Sequence, residues 1–332
     1  MRKAPNGAFS IKGRLRRPVE GQTDMKRFKF LHWLYNLLHY RSLSHNRAAY
    51  QAYNVHKPLI ASISSKDFPD KTSRAWLDTG HSSHLVPTRT GYNSFPPDIQ
   101  QQLLTWSDKG YLIWKGFLDN TTTDAILAEV DRLVQRGKLH PTHDQKLMFA
   151  NRHSALIRNV TQDKRLTDLL GFILDKEVVP FQTINFIQGS NQRAHSDSIH
   201  MTTYPLGYLI AVWIALEDTQ PDNGPLFYYP GSHRLPYLLN SDFNEGETSL
   251  LLGNKDYVDY EDRIEAQIKQ QSLQPEVFLA KKGDILIWHA NLIHGGMPVK
   301  DHSLTRKSMV IHYYAKDVIK YHEITERPSL LK

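Results

Sequence analysis

Hydrophobic positions along this chain fall into two regimes that change over near Val178. Upstream they recur at spacings of three and four. Phe30, Leu31, Leu34, Leu37 and Leu38 predict an amphipathic helix over about 28–40, with Trp33 and Tyr35 beside the stripe and Lys26, Arg27, Lys29 and Arg41 at its ends. Residues 55–95 are punctuated by Ser, Pro and Gly and predict irregular chain. After Pro96-Pro97 the pattern predicts a helix to about Ser107, a strand from Tyr111 to Leu118 and a helix from about Thr122 to Gln135. That last helix has capping side chains at Asn120 to Thr123 and an apolar face of Ile126, Val130 and Leu133. A further helix covers Lys164 to Leu174.

Downstream the period shortens to that of strands broken by turns. The candidate strands are Pro180–Gln188, His195–Thr203, Tyr208–Leu216, Leu226–Tyr229, Glu276–Ala280, Asp284–His289 and Arg306–Tyr314, with turns at Asn223-Gly224 and Pro230-Gly231. Short strands so punctuated predict a sandwich or barrel. The polar, acid-rich stretch 236–274 has weak strand character and predicts a lid inserted over one mouth of it. The expected architecture is therefore α+β: a basic N-terminal arm with its helix over 1–95, then a single domain over 96–332 whose helices flank a β-roll.

Composition narrows the chemistry. There is no cysteine among the 332 residues, which excludes disulfides, thiolate metal sites, iron–sulfur ligation and a cysteine nucleophile, so any metal must sit on His and carboxylate. The net charge of +7 is local. Residues 1–50 hold 11 of the 41 Lys and Arg but 2 of the 34 Asp and Glu, leaving 30 basic against 32 acidic residues, a net −2, over the rest. The basic arm with its helix has two readings: a helix docked on the domain, or a peripheral anchor that meets an anionic membrane through 26–41. Nucleic acid is the weaker expectation for it. No protein partner is predicted, and the absence of a long apolar run or an apolar leader predicts a cytoplasmic, peripheral protein.

The sharpest local signal is Arg193-Ala194-His195-Ser196-Asp197-Ser198. On a strand, residues two apart share a face, so His195 and Asp197 could converge on one ion. By itself such a pair is usually solvated or hydrogen-bonded. Two His and one carboxylate can occupy one face of an octahedral ion and leave three positions open. Nearly 100 residues later, Gly283-Asp284-Ile285-Leu286-Ile287-Trp288-His289 and His294-Gly295-Gly296 offer two candidates for the third ligand, and spacing does not choose between His289 and His294. Twelve residues beyond His294, Arg306 shares a strand face with Ser308 and Val310, where its guanidinium could pair bidentately with a carboxylate.

Taken together, these segments resemble the phytanoyl-CoA dioxygenase family of 2-oxoglutarate oxygenases. The likeness runs from about Gly110 to Tyr314, roughly three-fifths of the chain. It comprises His195-Ser196-Asp197, Trp213-Ile214-Ala215-Leu216-Glu217-Asp218, Asn223-Gly224-Pro225-Leu226, Pro230-Gly231-Ser232-His233-Arg234, Gly283-Asp284, His289, His294-Gly295-Gly296 and Arg306-Lys307, in family order. The resemblance implies a double-stranded β-helix (jelly-roll, cupin-like) and iron(II) on His195, Asp197 and His294. It further implies Arg306 on the distal carboxylate of 2-oxoglutarate, Trp213 lining that pocket, and Asn185 as a further cosubstrate contact. Trp213 shares its strand face with the small Ala211 and Ala215, which leaves room there.

The implied reaction consumes O2 and 2-oxoglutarate, releases succinate and CO2, and oxidises a C–H bond. Retention of Asp197 points to hydroxylation, since related halogenases replace that carboxylate with a small residue. The chain departs from the pattern in having Gly296 where relatives often have Ser, and one extra residue between His294 and Arg306. His200, Tyr204, Arg193 and Gln192 are near enough to the motif to touch substrate, whereas His233 and His312 read as structural. The expected substrate is a small molecule, a lipid or a lipid-linked group. The rival readings are a non-catalytic β-roll binding protein and a metal-dependent cupin-type hydrolase or isomerase.

Overall fold

The computed structural model describes residues 28–331 apart from 69, 143–144, 244–247, 249 and 254–256. Residues 1–27 of the basic arm lie outside the described residues. The helices, in chain order, are α1 (Lys29–Leu38), α2 (Asn46–Ala52), α3 (Ser82–Leu85), α4 (Pro97–Leu103), α5 (Trp106–Lys109), α6 (Asn120–Gln135), α7 (Ala155–Thr161), α8 (Lys164–Leu174), α9 (Asn240–Phe243) and α10 (Tyr257–Gln270). The strands are β1 (Tyr111–Trp114), β2 (Leu147–Met148), β3 (Val178–Phe186), β4 (Thr202–Tyr204), β5 (Leu209–Ala215), β6 (Leu226–Tyr228), β7 (Glu276–Phe278), β8 (Ile285–His289), β9 (His294–Gly296), β10 (Ser308–Ala315), β11 (Ile319–His322) and β12 (Arg327–Pro328).

Alternation along the strands builds two apolar layers. The major sheet runs β1-β8-β5-β10-β3-β2, all antiparallel, and a smaller sheet β7-β6-β9 faces it. Ile210, Val212 and Ile214 of β5 join Ile285 and Ile287 of β8 and Met309 and Ile311 of β10 in the layer beneath α6, α7 and α8. The intervening residues, Ala211, Trp213, Ala215, Leu286, Trp288 and Val310, face Leu226, Tyr228 and Phe278 between the two sheets. That is the jelly-roll arrangement, with its cavity between the sheets. A third sheet, β12-β11-β4, continues one end of the roll, and the N-terminal Leu43, Tyr50, Ile63 and Phe68 pack on its Ile319 and Tyr321.

The elements differ from the predicted ones where a local polar contact outweighs periodicity. The helix after Pro96 is two helices, α4 and α5, separated at Leu104-Thr105. β1 stops at Trp114 because the chain turns at Gly116, whose φ is +61°, with its N–H donated to Asp284 Oδ1 at 2.8 Å. α6 is capped by Asp119, which accepts from Thr122 N, rather than by the side chains from Asn120 to Thr123. The stretch from His195 to Thr203 is not a strand. His195 pairs with His294 through two backbone hydrogen bonds of 2.9 Å, a 3₁₀ turn follows at Asp197–Ile199, and pairing resumes only in β4. The insertion holds a 14-residue helix, α10, instead of weak strand. Residues 55–95 have only short elements, yet Leu59, Ile63, Phe68, Leu77 and Val86 are buried in the core clusters, so this stretch is part of the folded body.

α1 inverts the usual burial of an amphipathic helix. Asn36 is its buried residue, donating to Ile60 O at 3.0 Å, while Lys29 pairs with Glu326 at 3.1 Å. Phe30, Leu31, Trp33, Leu34, Leu37 and Leu38 are between 40% and 75% exposed. Among the described residues no helix is long and apolar enough to cross a membrane.

Candidate metal centre

His195, Asp197 and His294 lie together, buried, with one ligand atom from each within 4.8 Å of the others. The antiparallel bridge between His195 and His294 sets the two rings side by side, with centroids 4.5 Å apart. The 3₁₀ turn then brings Asp197 round, its Oδ1 3.8 Å from His294 Nε2. Convergence is thus achieved by a bridge and a turn, not by strand alternation.

Hydrogen bonding selects the imidazole tautomers. His195 Nδ1 lies 2.9 Å from Arg193 O and His294 Nδ1 lies 3.0 Å from Leu292 O. A carbonyl only accepts, so each Nδ1 carries the proton and each Nε2 lone pair is left for a metal. The Gln192 amide, 3.2 Å from His195 Nε2, donates to that lone pair here and must turn aside for ligation. Burial, with His294 alongside, holds His195 well below the usual imidazole range, so it is neutral and able to ligate. Burial alone would raise the Asp197 carboxyl, but His294 and His312 outweigh it and keep the group ionised, well below the usual carboxylate range. Its second oxygen accepts from Trp288 Nε1 at 2.9 Å and lies 3.5 Å from His312 Nε2. Two imidazoles and a carboxylate on one face are a donor set suited to a borderline divalent ion such as iron(II).

His289 has no such freedom. Its Nδ1 accepts from Asn291 N at 3.0 Å, so its Nε2 carries the proton and donates to Asp78 Oδ2 at 3.0 Å. Both ring nitrogens are engaged in holding the turn after β8.

A cavity of about 230 Å³ runs from the three ligands to Arg306. Arg306 is 2% exposed, stands over the rings of Trp213 and Phe186 at 5.5 and 5.7 Å, and has unpartnered Nε and Nη1 groups. Burial lowers its pKa to about 10, which leaves it charged at neutral pH. Trp213 Nε1 and Ser308 Oγ nearby are also unpartnered. A buried cation with unused donors in a cavity that leads to the ligands fits a dicarboxylate such as 2-oxoglutarate. Arg306 lies two residues before β10, and Ile187 O accepts its N–H at 3.0 Å.

Asn185 does not belong to this cavity. Along β3, Ile184 and Phe186 face it, whereas Asn185 pairs with Leu147 and Met309, both in the helix-side layer. Strand alternation removes it from contact with a cosubstrate. The Gly296 departure has a steric reason: a Cβ there would overlap the Ser190 hydroxyl and come within 3.2 Å of Asn191 N. Ser190 lines the cavity and stands where a side chain at 296 would project.

Of the substrate-contact candidates, His200 and Gln192 line the cavity. Tyr204 does not; it stacks on Phe68 at 4.0 Å. Arg193 points outward to Glu261, Asp262 and Glu265 of α10, at 3.0, 2.7 and 2.6 Å. Two tyrosines of the same helix reach the metal loop: the Tyr260 hydroxyl accepts from Ser196 N at 2.9 Å, and Tyr257 Oη lies 3.0 Å from His200 Nε2. The lid helix is therefore tied to the segment that carries two of the three ligands.

Sequence reasoning missed Lys146, Gln182, Trp288, His312 and His322 as cavity residues. For His312 the signal existed, because one more step of alternation beyond Ser308 and Val310 reaches it. For Lys146 and His322, brought in by β2 and β11, no local pattern marks them.

A family model described as Phytanoyl-CoA dioxygenase (PhyH) matches residues 106–307. The phytanoyl-CoA dioxygenase domain-containing protein 1 of Danio rerio is 28% identical over 149 residues, covering 42% of this chain and 49% of that protein, so the match spans about half the relative's length. Among solved structures, the 2-oxoglutarate-dependent carbocyclase SnoK from nogalamycin biosynthesis superposes with a TM-score of 0.54 at 14% identity, over 69% of this chain and 88% of that one. EctD from S. alaskensis, solved with 2-oxoglutarate and 5-hydroxyectoine, gives a TM-score of 0.51 at 18% identity, over 65% of this chain and 75% of that one. At these identities the two structures establish a shared jelly-roll fold.

Proposed function

Since the chain belongs to the phytanoyl-CoA dioxygenase family of iron(II)- and 2-oxoglutarate-dependent oxygenases, we propose that it hydroxylates an unactivated C–H bond of a small-molecule, lipid or lipid-linked substrate, releasing succinate and CO2. The observation that carries this reading is the pairing, in one cavity, of the His195-Asp197-His294 group with the buried Arg306, whose Nε and Nη1 have no hydrogen-bond partner. Bound iron supplies the oxidising chemistry, with O2 and 2-oxoglutarate as co-reactants. The protein's part is geometric and electrostatic. His195 and His294 present unprotonated Nε2 atoms, and Trp288 and His312 orient the Asp197 carboxylate. Arg306 holds the far carboxylate of 2-oxoglutarate, and Trp213 and Phe186 wall it off from water.

The exposed apolar face of α1, following an arm rich in Lys and Arg, supports peripheral contact with an anionic membrane surface through 26–41, of which 28–41 are described. The reaction is tested by loading the protein with iron and 2-oxoglutarate without O2, then measuring succinate release on adding O2 across a metabolite panel. His195→Ala, Asp197→Ala and His294→Ala should each abolish iron-dependent 2-oxoglutarate decarboxylation; activity retained in any one sinks the ligand assignment. Turnover that needs neither O2 nor 2-oxoglutarate would favour a hydrolase or isomerase.

A further inference from the structure

A second cavity, of about 260 Å³, adjoins the first and shares Gln182 and His322 with it. Its other walls come from α1 through Tyr35 and Asn36, and from two arginines, Arg152 and Arg327. Arg327 is the direct cross-strand partner of His322 in the β11–β12 hairpin, so the two side chains share a face; His322 lines both cavities and Arg327 the second.

The two guanidinium groups are half-buried and unneutralised. No described carboxylate makes an ion pair with either, and Glu326, next to Arg327 in sequence, is engaged by Lys29 at 3.1 Å and the Asn240 amide at 2.9 Å. The polar partner of Arg327 is the Thr325 hydroxyl at 3.3 Å, and its Cζ lies 5.6 Å from the Tyr35 ring; Arg152 stacks 3.7 Å over Phe149. Burial lowers the pKa of both, and Tyr35 offsets part of the effect. On the side toward the metal, His322 is neutral: burial, with Arg327 beside it, lowers its pKa to about 4. Two cations that share a concave site and have no anion of their own are arranged for an external one.

We propose that Arg152 and Arg327 form an anion subsite that takes a phosphate or carboxylate group of the substrate, anchoring it beside α1 while the remainder extends past Gln182 and His322 to the metal. The assignment of the bound molecule as substrate rests on the oxygenase reading; the anion site itself does not. Arg306 is separate from it, since it lies in the first cavity against Trp213 and Phe186 and does not line the second.

The test is calorimetric titration of the full chain with inorganic phosphate, without iron or 2-oxoglutarate. Saturable binding is expected for the wild type and for Arg306→Met. Loss of one charge-assisted contact should weaken binding about tenfold or more in Arg152→Gln or Arg327→Gln, and the double variant should not bind. Thermal melts of the variants matching the wild type establish that they are folded. No phosphate binding by the wild type, or equal binding by the folded double variant, overturns the proposal. A second arm identifies the source of the anion. Sedimentation with phosphatidic acid vesicles that is lost in the double variant assigns it to a lipid headgroup; sedimentation unaffected by the double variant, with phosphate binding intact in the wild type, assigns it to a soluble substrate. Phosphate binding without any O2-dependent succinate release would leave the anion site standing while removing the oxygenase reading.

Discussion

Replacing Arg306 with Met should separate stability from function in opposite directions. Arg306 is 2% exposed, and its pKa falls from the ordinary guanidinium value to about 10 because burial strips its hydration, with Glu217 offsetting part of the effect. A cation whose folded pKa lies below its unfolded one opposes folding at neutral pH, and the penalty is relieved as pH rises from about 10 toward the ordinary guanidinium value. A depression of this size corresponds to roughly 3 kcal/mol. Methionine fills similar volume without charge, so the ligand-free variant should gain about 1–3 kcal/mol in denaturant unfolding. Glu217 keeps its contacts with Thr305 Oγ1 and Lys307 N at 2.9 and 2.6 Å, so it is not orphaned by the change.

The same substitution removes the partner of the cosubstrate carboxylate. Truncating one side of a buried, hydrogen-bonded charge pair costs at least 2–5 kcal/mol, so 2-oxoglutarate affinity should fall by about 100-fold or more. Arg306→Lys, which keeps the charge but loses the fork, should fall between wild type and Met. Anaerobic equilibrium dialysis of 2-oxoglutarate against the iron-loaded protein reads the affinity, and urea unfolding of the apoprotein reads the stability. A Met variant that is less stable and binds 2-oxoglutarate as wild type does would refute the reasoning on both counts, since Arg306 would then be a structural residue.

Three further outcomes follow from the contacts around the ligands. Trp288→Phe keeps the ring but loses the 2.9 Å hydrogen bond to Asp197, and should lower iron affinity by about 10- to 100-fold in a competition titration. Gly296→Ser, although it restores the residue common in related chains, should be destabilising by about 1–3 kcal/mol because Ser190 already fills that space; adding Ser190→Gly should recover most of the loss, and additive penalties would refute the overlap. Tyr260→Phe leaves the buried Ser196 N–H unpartnered at a cost of about 1–3 kcal/mol, and should also speed iron release from the loop; unchanged iron release would uncouple α10 from the metal centre.

Much of this fold is legible in local pattern because strand alternation and helix periodicity act within a few residues. α8 was readable to its ends, and β5, β8 and β10 each emerged from a run of apolar residues. What escaped local reading depends on a distant partner. The predicted strand at His195 becomes a single bridge and a turn because its partner, β9, is the His-Gly-Gly segment, which has no intrinsic strand preference and is held through β6, His195 and Gln192. α1 has two readings in sequence, a helix docked on the domain or a peripheral anchor, and in the structure the residue it buries is Asn36, which reaches Ile60 O from the polar side. The identity of the third ligand was equally non-local: His289 and His294 differ in whether a carboxylate 211 residues away in sequence claims the ring, and Asp78 claims only His289.

Along β10 one face acts as a ruler for the reaction. Arg306, Ser308, Val310 and His312 follow one another inward, from the buried cation to the Asp197 carboxylate, so one run of chain sets the distance between Arg306 and the His195-Asp197-His294 group. An antiparallel register with β5 locks it, Val310 opposite Trp213 and His312 opposite Ala211, and a slip of one residue would turn every one of these side chains toward the helices. The second cavity has no such ruler. Arg152 follows β2, Arg327 belongs to the terminal hairpin, and Tyr35 comes from α1, so three separated segments must dock before it exists. A site assembled from one strand tolerates little variation, whereas one assembled from flanking segments can change its occupant without disturbing the iron chemistry. That asymmetry is the physical reason why the sequence speaks clearly about the metal group and Arg306, while the proposed anion subsite, where α1 and the β11–β12 hairpin meet the roll, leaves no local pattern.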